Sequence, residues 1–530
     1  MRNARLWTSG AVRDGIDTLA IAGGRIVACG AARHLEPLAG PHTQVLDAAG
    51  ATVTPGIVDA HVHLVDWARA IGEVALDGCA TRADAIARVA AHAARDTGGA
   101  PIVGRGFDSN GWDEPPARDA LDRVTGSRPA LLHSHDYHSL WVNSAALAAC
   151  GIGRDTPDPA GGRIVRDAAG EPTGLLLEHA VRPCAALLEA AAVDPAAAVA
   201  RALPLLHARG VTGVHDFEGP LAMRVLRDAC GGAAPRLRVL MHLAHARLDE
   251  AIALGLTSGI GDDAFRIGAI KLFADGTLGS RTAAMLAAYD GTQETGMDLI
   301  PPVELAAIVR RAVDAGLSVA IHAIGDRAVR SSLDAFEAAG PALARLAMPP
   351  RIEHAQLVDA ADVPRFARLG VVASMQPSHA TADAALAHRH WGGRAAASYP
   401  WRTLLDRGAR LAFGSDAPVE PPDAPAGLAA AVTRVPPGAA SAFTPEQRVT
   451  LDEALSAYTE GPARAAGTWP RTGALEPGAI ADVVVWNEDL HALPPGRLAA
   501  AAPATVIVAG GVVHSASESP VTAGVPGGGR

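Results

Sequence analysis

Residues 54–63 spell TPGIVDAHVH, an apolar run that ends in two histidines, His61 and His63. Such a run is typical of a buried strand. Because side chains alternate along a strand, the two imidazoles lie on the same side of it. Imidazoles so placed can grip one cation, so the stretch predicts a strand whose end binds a metal.

The same pattern of apolar runs recurs along the chain, separated by alanine-rich helical stretches such as 303–315 and 361–369. The predicted strands are 56–61, 211–215, 237–242, 267–272, 318–322, 351–354, 371–375 and 410–414. Eight strands with helical crossovers predict an α/β fold, a (β/α)8 TIM barrel.

The two ends of the chain have a different texture. Residues 1–55 and 471–514 carry short β-branched runs between Gly and Pro turns, which predicts one small β-sandwich domain formed from both termini. The barrel then occupies 56–470, with an inserted subdomain at about 64–199 after the first strand. Residues 515–530, rich in Ser, Gly and Pro, predict a disordered tail.

Several predicted strands end in His, Lys or Asp, and the strand ends of a barrel meet at one face. A lone histidine there is more often structural, and an Asp after Gly-Ser is ordinarily a turn residue. The set favours a metal site, because six candidate ligands follow five strands of one barrel. They are His61, His63, Lys271, His322, His354 and Asp416.

Lys271 is the only lysine in a chain whose lysines and arginines total 46. This composition is typical of a coding bias that favours arginine wherever charge alone is needed. An amine can be neutralised and can react as a nucleophile, which a guanidinium cannot. A chemical role is therefore favoured over chance for Lys271.

Composition excludes some classes of protein. The chain is 49% hydrophobic and 19% charged, with a net charge of −10, which is typical of a globular protein without a basic surface for nucleic acid. No apolar run approaches the length of a membrane span, and the N-terminus lacks an apolar signal core. Five scattered cysteines without a CxxC pair indicate reduced thiols, so a cytoplasmic protein is expected. The expected partner is a small-molecule substrate. A homo-oligomer is left open.

Longer motifs carry a family resemblance. The chain resembles the YtcJ-like branch (amidohydrolase family 3) of the amidohydrolase superfamily. The stretches that carry the resemblance are TPGIVDAHVHL, LWVNSAAL, IKLFADGTLGSRTA, IHAIGDRAV, RIEHAQLV, LAFGSDAPVEPPDAPAGLAAAVTR and GALEPGAIADVVVW. The resemblance implies a metal-dependent hydrolase of carbon–nitrogen bonds other than peptide bonds, with a linear amide of N-acyl or N-formyl type favoured.

The resemblance also implies roles for the ligands. His61 and His63 would bind one metal, and His322 and His354 a second. Lys271 would be carboxylated by CO2, and its carbamate would bridge the two ions of a binuclear metal centre. Asp416 would contact metal and act as the catalytic base that transfers the proton. The expected cation is Zn2+, one or two per chain.

Substrate contacts are predicted less sharply. Asp275 and Arg281 follow the Lys271 strand, and Arg281 either binds a substrate carboxylate or braces its loop. Gln376 and His379, after the seventh strand, either face the pocket or lie on a loop. The resemblance implies that a segment of the insert with Asp136, His138 and Trp141 lies beside the substrate. Alternation turns Glu353 away from the metal, so a supporting role is expected for it.

Two alternatives stay open. The first is a deaminase or cyclic-amide hydrolase on the same barrel, and Lys271 counts against the deaminase because deaminases commonly use one metal without a bridging lysine. The second is a metal-free binding or regulatory module, against which all six ligand positions are intact. The sequence does not identify the substrate, because loops form the pocket.

Overall fold

The computed structural model describes residues 1–96, 98–109, 112–134, 139–160, 162–191, 193–230, 236–516 and 522–523. The chain forms two compact units. One comprises Met1–Val65 and Val199–Arg530, and the other comprises Asp66–Ala198. The second unit is inserted after the first strand of the sheet that dominates the first unit.

The first unit contains eight parallel strands, β1–β8. They are Ile57–Val62 (β1), Val211–Asp216 (β2), Arg238–Ala244 (β3), Phe265–Phe273 (β4), Val319–Ala323 (β5), Arg351–His354 (β6), Val372–Met375 (β7) and Arg410–Phe413 (β8). Each strand pairs in parallel with the next. The predicted (β/α)8 barrel is confirmed, and the ends of its strands differ from the predicted ones by no more than two residues.

The barrel closes where the segment after β8 meets β1. The backbone N–H of Asp416 donates to the carbonyl of His61 at 2.7 Å, and that of His63 donates to the carbonyl of Ala417 at 2.8 Å. Asp59, buried on β1, accepts hydrogen bonds from the backbone N–H of Ser415 at 2.9 Å and from its hydroxyl at 2.6 Å. The closure therefore brings His61, His63 and Asp416 to one edge of the barrel.

Gly414 lies at the closure of the barrel, where there is no space for a side chain. A Cβ there would lie 2.8 Å from Asp59 Oδ1 and closer still to the backbone nitrogen of His61. We expect Gly414→Ala to lower the free energy of unfolding by about 1–3 kcal/mol, the usual cost of overpacking, as measured by urea denaturation. Gly496→Ala is the matched control, because a Cβ there meets no atom within 4 Å. An unchanged urea midpoint for Gly414→Ala would show that the β1–β8 contact is looser than described.

Helices alternate with the barrel strands and bury one face each. The helix Pro302–Asp314 shows the pattern, since its buried residues follow the 3.6-residue period: Leu305, Ile308, Val309, Ala312 and Val313. The other helices of the first unit are Ala32–Leu35, Pro220–Cys230, Leu248–Ala253, Asp326–Ala339, Val363–Leu369, Pro377–Ala382, Ala384–Trp391, Trp401–Asp406, Ala424–Thr433, Leu451–Tyr458 and Glu460–Ala465. Short 3-10 turns are Glu36–Leu38, His245–Arg247, Gly340–Arg345, Gly392–Ala397, Pro445–Gln447, Leu490–Ala492 and Pro495–Ala500.

Both termini contribute strands to one small sheet. Its six strands, in order, are Ala11–Val12, Arg5–Thr8, Thr52–Pro55, Val483–Trp486, Pro503–Val508 and Gly511–Ser515. Two further pairs accompany it, Thr18–Ala22 with Arg25–Gly30 and Gln44–Val45 with Thr522–Ala523. Its core includes Leu6, Val53 and Val483. Most of the predicted tail 515–530 lies outside the described residues.

The second unit is an α/β subdomain with its own sheet. The strand order is Gly162–Arg166, Pro172–Glu178, Ser139–Val142, Ala130–Ser134, Ile102–Phe107 and Val74–Ala75. Its helices are Arg82–Arg95, Arg118–Thr125, Ser144–Ala149 and Ala185–Ala191, with the 3-10 turn His179–Cys184. The helices Leu64–Ala70 and Pro195–His207 cross the two boundaries between the units.

Within the described ranges, no single helix is long and apolar enough to cross a membrane. One bent pair, His179–Ala191 with Pro195–His207, reaches that length and hydropathy only in combination.

Candidate metal centre

Three predicted ligands meet at the closure of the barrel. Asp416 Oδ1 lies 3.4 Å from His61 Nε2 and 3.6 Å from His63 Nε2. The donor atoms of these three residues all lie within 4.8 Å of one another. His61 is buried and His63 is partly exposed, so the group lies at the boundary between the core and an open face.

A buried carboxylate orients His61. Glu353 Oε2 lies 2.7 Å from His61 Nδ1, which leaves Nε2 of the same ring directed toward Asp416. A carboxylate on the far nitrogen of a metal-binding histidine holds the ring and its tautomer in place. The supporting role expected for Glu353 agrees with this geometry.

Glu353 is held in turn by Arg351, two residues earlier on β6. Both side chains are fully buried, and the guanidinium donates to both carboxylate oxygens. It also donates to the carbonyl of Ala60 at 2.6 Å, and it lies 2.9 Å from His215 Nδ1. Burial raises the pKa of Glu353, but Arg351 and His61 outweigh it and hold that pKa well below its usual range. The carboxylate is therefore charged beneath the site.

His354 is oriented by Gln376, the residue after β7. The distance from His354 Nδ1 to Gln376 Oε1 is 2.9 Å, so Nε2 is the nitrogen left for a ligand. His354 and Asp416 both adopt positive φ, at 72° and 62°. Such conformations are uncommon outside glycine, cost of order 1–3 kcal/mol and cluster at functional sites.

Lys271 lies on β4 with its amine in an aromatic cage. Its Nζ is 4.4 Å from the ring centre of Phe217 and 4.9 Å from that of Phe273. Burial lowers the pKa of Lys271 to about 8, although Glu353 and Asp416 act in the opposite direction. A larger fraction of the amine is therefore neutral near pH 7 than in an exposed lysine.

His322 lies beside the centre rather than within its group of donors. Its ring centre is 4.5 Å from that of His354. Its Nε2 lies 3.1 Å from the carbonyl of Gly276 and 3.7 Å from Asp275 Oδ1.

Three of the imidazoles are held in the neutral form that binds metal. Burial, with the charge of Lys271 second, lowers the pKa of His61 to about 4 and that of His322 to about 3. Burial and His322 hold the pKa of His354 well below its usual range. Burial raises the pKa of Asp416, but His61 and other neighbours outweigh it and hold that pKa well below its ordinary value. Burial lowers the pKa of His63, but its contact with Asp416 outweighs burial and raises that pKa above its ordinary value, so His63 must lose a proton to bind a cation. Neutral imidazoles beside an ionised carboxylate fit a divalent cation.

A second group of donors shares Asp416. It consists of His354, His379 and Asp416, whose donor atoms also lie within 4.8 Å of one another. His379 belongs to the short helix Pro377–Ala382 and is buried. The sequence left its position open between pocket and loop, and the structure places it at the centre.

The loop residues predicted to contact substrate have other partners. Asp275 is buried and accepts hydrogen bonds from the backbone N–H groups of Ala284, Ile324 and Gly325 at 2.8–3.0 Å. Burial raises the pKa of Asp275 to about 7. Arg281 is 44% exposed and pairs with Glu294 at 3.5 Å, which is the bracing contact of its two predicted roles.

Of the three substrate contacts predicted in the insert, the structure describes only Trp141. Trp141 is fully buried in the core of the second unit, and its indole N–H donates to the carbonyl of Ala117 at 3.1 Å. With no exposed surface it packs this core instead of offering a face to a substrate. Asp136 and His138 lie outside the described residues.

Several supporting residues escaped the sequence analysis. Phe217, directly after β2, stacks on His61 at 4.1 Å and on His242 at 4.2 Å between ring centres. His242 accepts a hydrogen bond from the backbone N–H of Ala269 at 2.9 Å. The sequence did hold a signal for two other supporting residues, Asp59 and Arg351. Each precedes a predicted site residue by two positions, His61 and Glu353 respectively, so alternation along the strand places each pair on one side.

Comparison with known proteins supports a metal-dependent hydrolase. Residues 44–514 match the amidohydrolase family. A putative amidohydrolase, YtcJ, from Bacillus subtilis is 32% identical over 92% of this chain and 93% of its own. An N-substituted formamide deformylase from Arthrobacter pascens is 31% identical over the same two shares, and the protein LONG AFTER FAR-RED 3 from Arabidopsis thaliana is 32% identical over 92% of this chain and 87% of its own.

Solved structures agree. An uncharacterized metal-dependent hydrolase from Pyrococcus horikoshii superposes with a TM-score of 0.77 at 27% identity, covering 93% of this chain and 98% of its own. One from Pyrococcus furiosus gives 0.73 at 28% identity, covering 91% and 97%. The resemblance drawn from the motifs is therefore confirmed. The chain has the same barrel as metal-dependent hydrolases of known structure. Because the family model and the relatives match it over nearly its whole length, the chain belongs to the amidohydrolase family.

Proposed function

We propose that this protein hydrolyses the carbon–nitrogen bond of a linear amide, of N-acyl or N-formyl type, by activating water at a divalent metal. The observation that carries the proposal is the group of two imidazoles, His61 and His63, around the ionised carboxylate of Asp416 at the closure of the barrel. The relative named N-substituted formamide deformylase supports the linear amide as the substrate class.

The proposal assigns the ligands as follows. His61, His63 and Asp416 would hold one cation, and His322 and His354 would contribute to a second. Lys271, carboxylated by CO2 on its neutral amine, would supply a further carboxylate ligand. Imidazole and carboxylate ligands suit Zn2+. When bound, such a cation polarises a carbonyl and lowers the pKa of water.

Asp416 is the group of this chain that moves the proton. Its low pKa keeps the carboxylate ionised, and the backbone contacts after β8 fix its direction. It accepts the proton of the attacking water and returns it to the leaving nitrogen, so that a neutral amine departs. Glu353 and Gln376 take no proton in this scheme, since they hold His61 and His354 in the ligand orientation.

Metal removal tests the proposal. We expect chelated protein to release no amine from N-formyl and N-acyl amines, and Zn2+ with bicarbonate to restore the release. We expect kcat/KM for the best linear amide to exceed that for cyclic amides and aminopurines by at least about a hundredfold, or ~2.7 kcal/mol. Asp416→Asn is the control, because it removes the base while keeping the shape of the side chain.

Other outcomes would replace the proposal. Preferred release of ammonia from an aminopurine would make the protein a deaminase, and preferred ring opening would make it a cyclic-amide hydrolase. Absence of bound metal and of turnover, even with added Zn2+ and bicarbonate, would favour a binding module.

A further inference from the structure

His379 is a buried histidine at the centre, and its Nε2 has no hydrogen-bond partner among the described residues. It lies on the helix directly after β7, with 7% of its surface exposed. Buried polar nitrogens nearly always have a partner, so an unpaired one indicates a ligand that the protein atoms alone do not supply.

The nearest charged group is too far away for a direct hydrogen bond. His379 Nε2 lies 3.9 Å from Asp416 Oδ2, beyond the usual range of about 2.7–3.2 Å. The ring of His379 is parallel to that of His354, with 6.1 Å between centres and 5° between planes. The donor atoms of the three residues lie within 4.8 Å of one another.

The distances within the first group of donors can be compared with the 3.9 Å between His379 and Asp416. There Asp416 Oδ1 is 3.4 and 3.6 Å from the two imidazoles. Bonds of about 2.0–2.1 Å to a tetrahedral Zn2+ place neighbouring ligands roughly 3.3–3.5 Å apart. The 3.9 Å of the second group exceeds this by only a few tenths of an ångström. The two oxygens of Asp416 thus lie near different imidazoles, Oδ1 near His61 and His63 and Oδ2 near His379.

His354 is prepared for the same role. Its Nδ1 is engaged by Gln376, which leaves Nε2 free. His322 is arranged differently, because its Nε2 faces the carbonyl of Gly276 at 3.1 Å, and it belongs to neither group of donors.

We infer that His379 is an additional metal ligand, which binds the second divalent cation together with His354, beside Asp416. The inference rests on the proposed function, since it assigns a residue to the metal centre on which that function depends. It gives the second cation a histidine from the segment after β7.

Metal binding measures this directly, without an activity assay. Zn2+ per chain would be determined by plasma mass spectrometry, and each affinity by competition with a chromophoric chelator, for wild type, His379→Ala and His388→Ala. His388 is the matched control, because it is exposed on the next helix, Ala384–Trp391. We expect two Zn2+ in wild type and in His388→Ala.

In His379→Ala we expect one Zn2+ to bind as in wild type and the other at least about a hundredfold more weakly, the upper end of losses seen when only a supporting partner is removed. Two Zn2+ at wild-type affinity in this variant would overturn the inference and leave the proposed function intact. A wild type that binds no Zn2+, even with bicarbonate, would overturn both.

If His379→Ala does not fold, a wild-type crystal soaked in Zn2+ still tests the inference. An anomalous peak at bonding distance from His379 Nε2 supports the inference. Two occupied zinc positions that leave His379 without contact overturn it.

Discussion

Replacing Lys271 with arginine is expected to lower kcat/KM for the linear amide by about a thousandfold or more, ~4 kcal/mol of transition-state stabilisation. The substitution keeps a positive charge and a long stem, so a role based on charge alone would survive it. A carbamate would not survive, because a guanidinium stays protonated in proteins and cannot take up CO2.

The surroundings of Lys271 explain why this amine can react. Its Nζ lies between the rings of Phe217 and Phe273, and burial lowers its pKa to about 8. In carbamate formation the neutral amine nitrogen bonds to the carbon of CO2 and releases one proton to solvent, and the product is a carboxylate on a flexible stem, a ligand suited to divalent cations.

Two measurements distinguish a carbamate on Lys271 from a role of this side chain in packing alone. Wild type incubated with 13C-bicarbonate should give a carbamate signal that Lys271→Arg lacks, and the variant should lose one metal per chain. Arg123→Lys added to Lys271→Arg is the control, because it supplies an amine at a helix position that is 74% exposed and should restore neither property. Small carboxylates such as formate should partly restore activity to Lys271→Ala. Activity of Lys271→Arg within tenfold of wild type would show that the amine is not needed.

Glu353→Ala is expected to cause the largest loss of stability, about 3–5 kcal/mol in guanidinium chloride denaturation. The change removes the only carboxylate that contacts the guanidinium of Arg351 among the described residues, and both side chains are fully buried. An uncompensated charge in the core costs far more than the lost contact itself.

The same change should also weaken metal binding by about 10–100-fold, because His61 loses the group that orients its ring. The double variant Arg351→Met/Glu353→Leu separates the two effects. It should recover most of the stability, since no unpaired charge remains, but not the metal affinity.

Glu337→Ala is the matched control at the surface. Glu337 also pairs with arginines, Arg365 and Arg368, but its side chain is 45% exposed, so solvent replaces the lost contacts. We expect a far smaller loss of stability there. A Glu353→Ala variant as stable as this control would show that the buried pair adds little to folding.

Much of the fold could be predicted from local pattern. Alternation along β1 placed His61 and His63 on one side, and the run of eight apolar strands predicted the barrel that the structure confirms. Lys271 stood out because no other lysine occurs in the chain. These signals are read within a few residues, since the period of a strand is local.

Which side chains surround those ligands was decided by packing between distant segments. Glu353 meets His61 across 292 residues, and Arg351 meets His215 across 136. His379 and His388 lie on consecutive helices, yet one is buried beside Asp416 and the other is exposed. Similarly, the sequence did not show that Trp141 packs the core of the second unit, and only its burial in the structure did. Barrel closure and helix packing set these directions, and neither leaves a period in the sequence, because each depends on contacts between elements far apart in the chain.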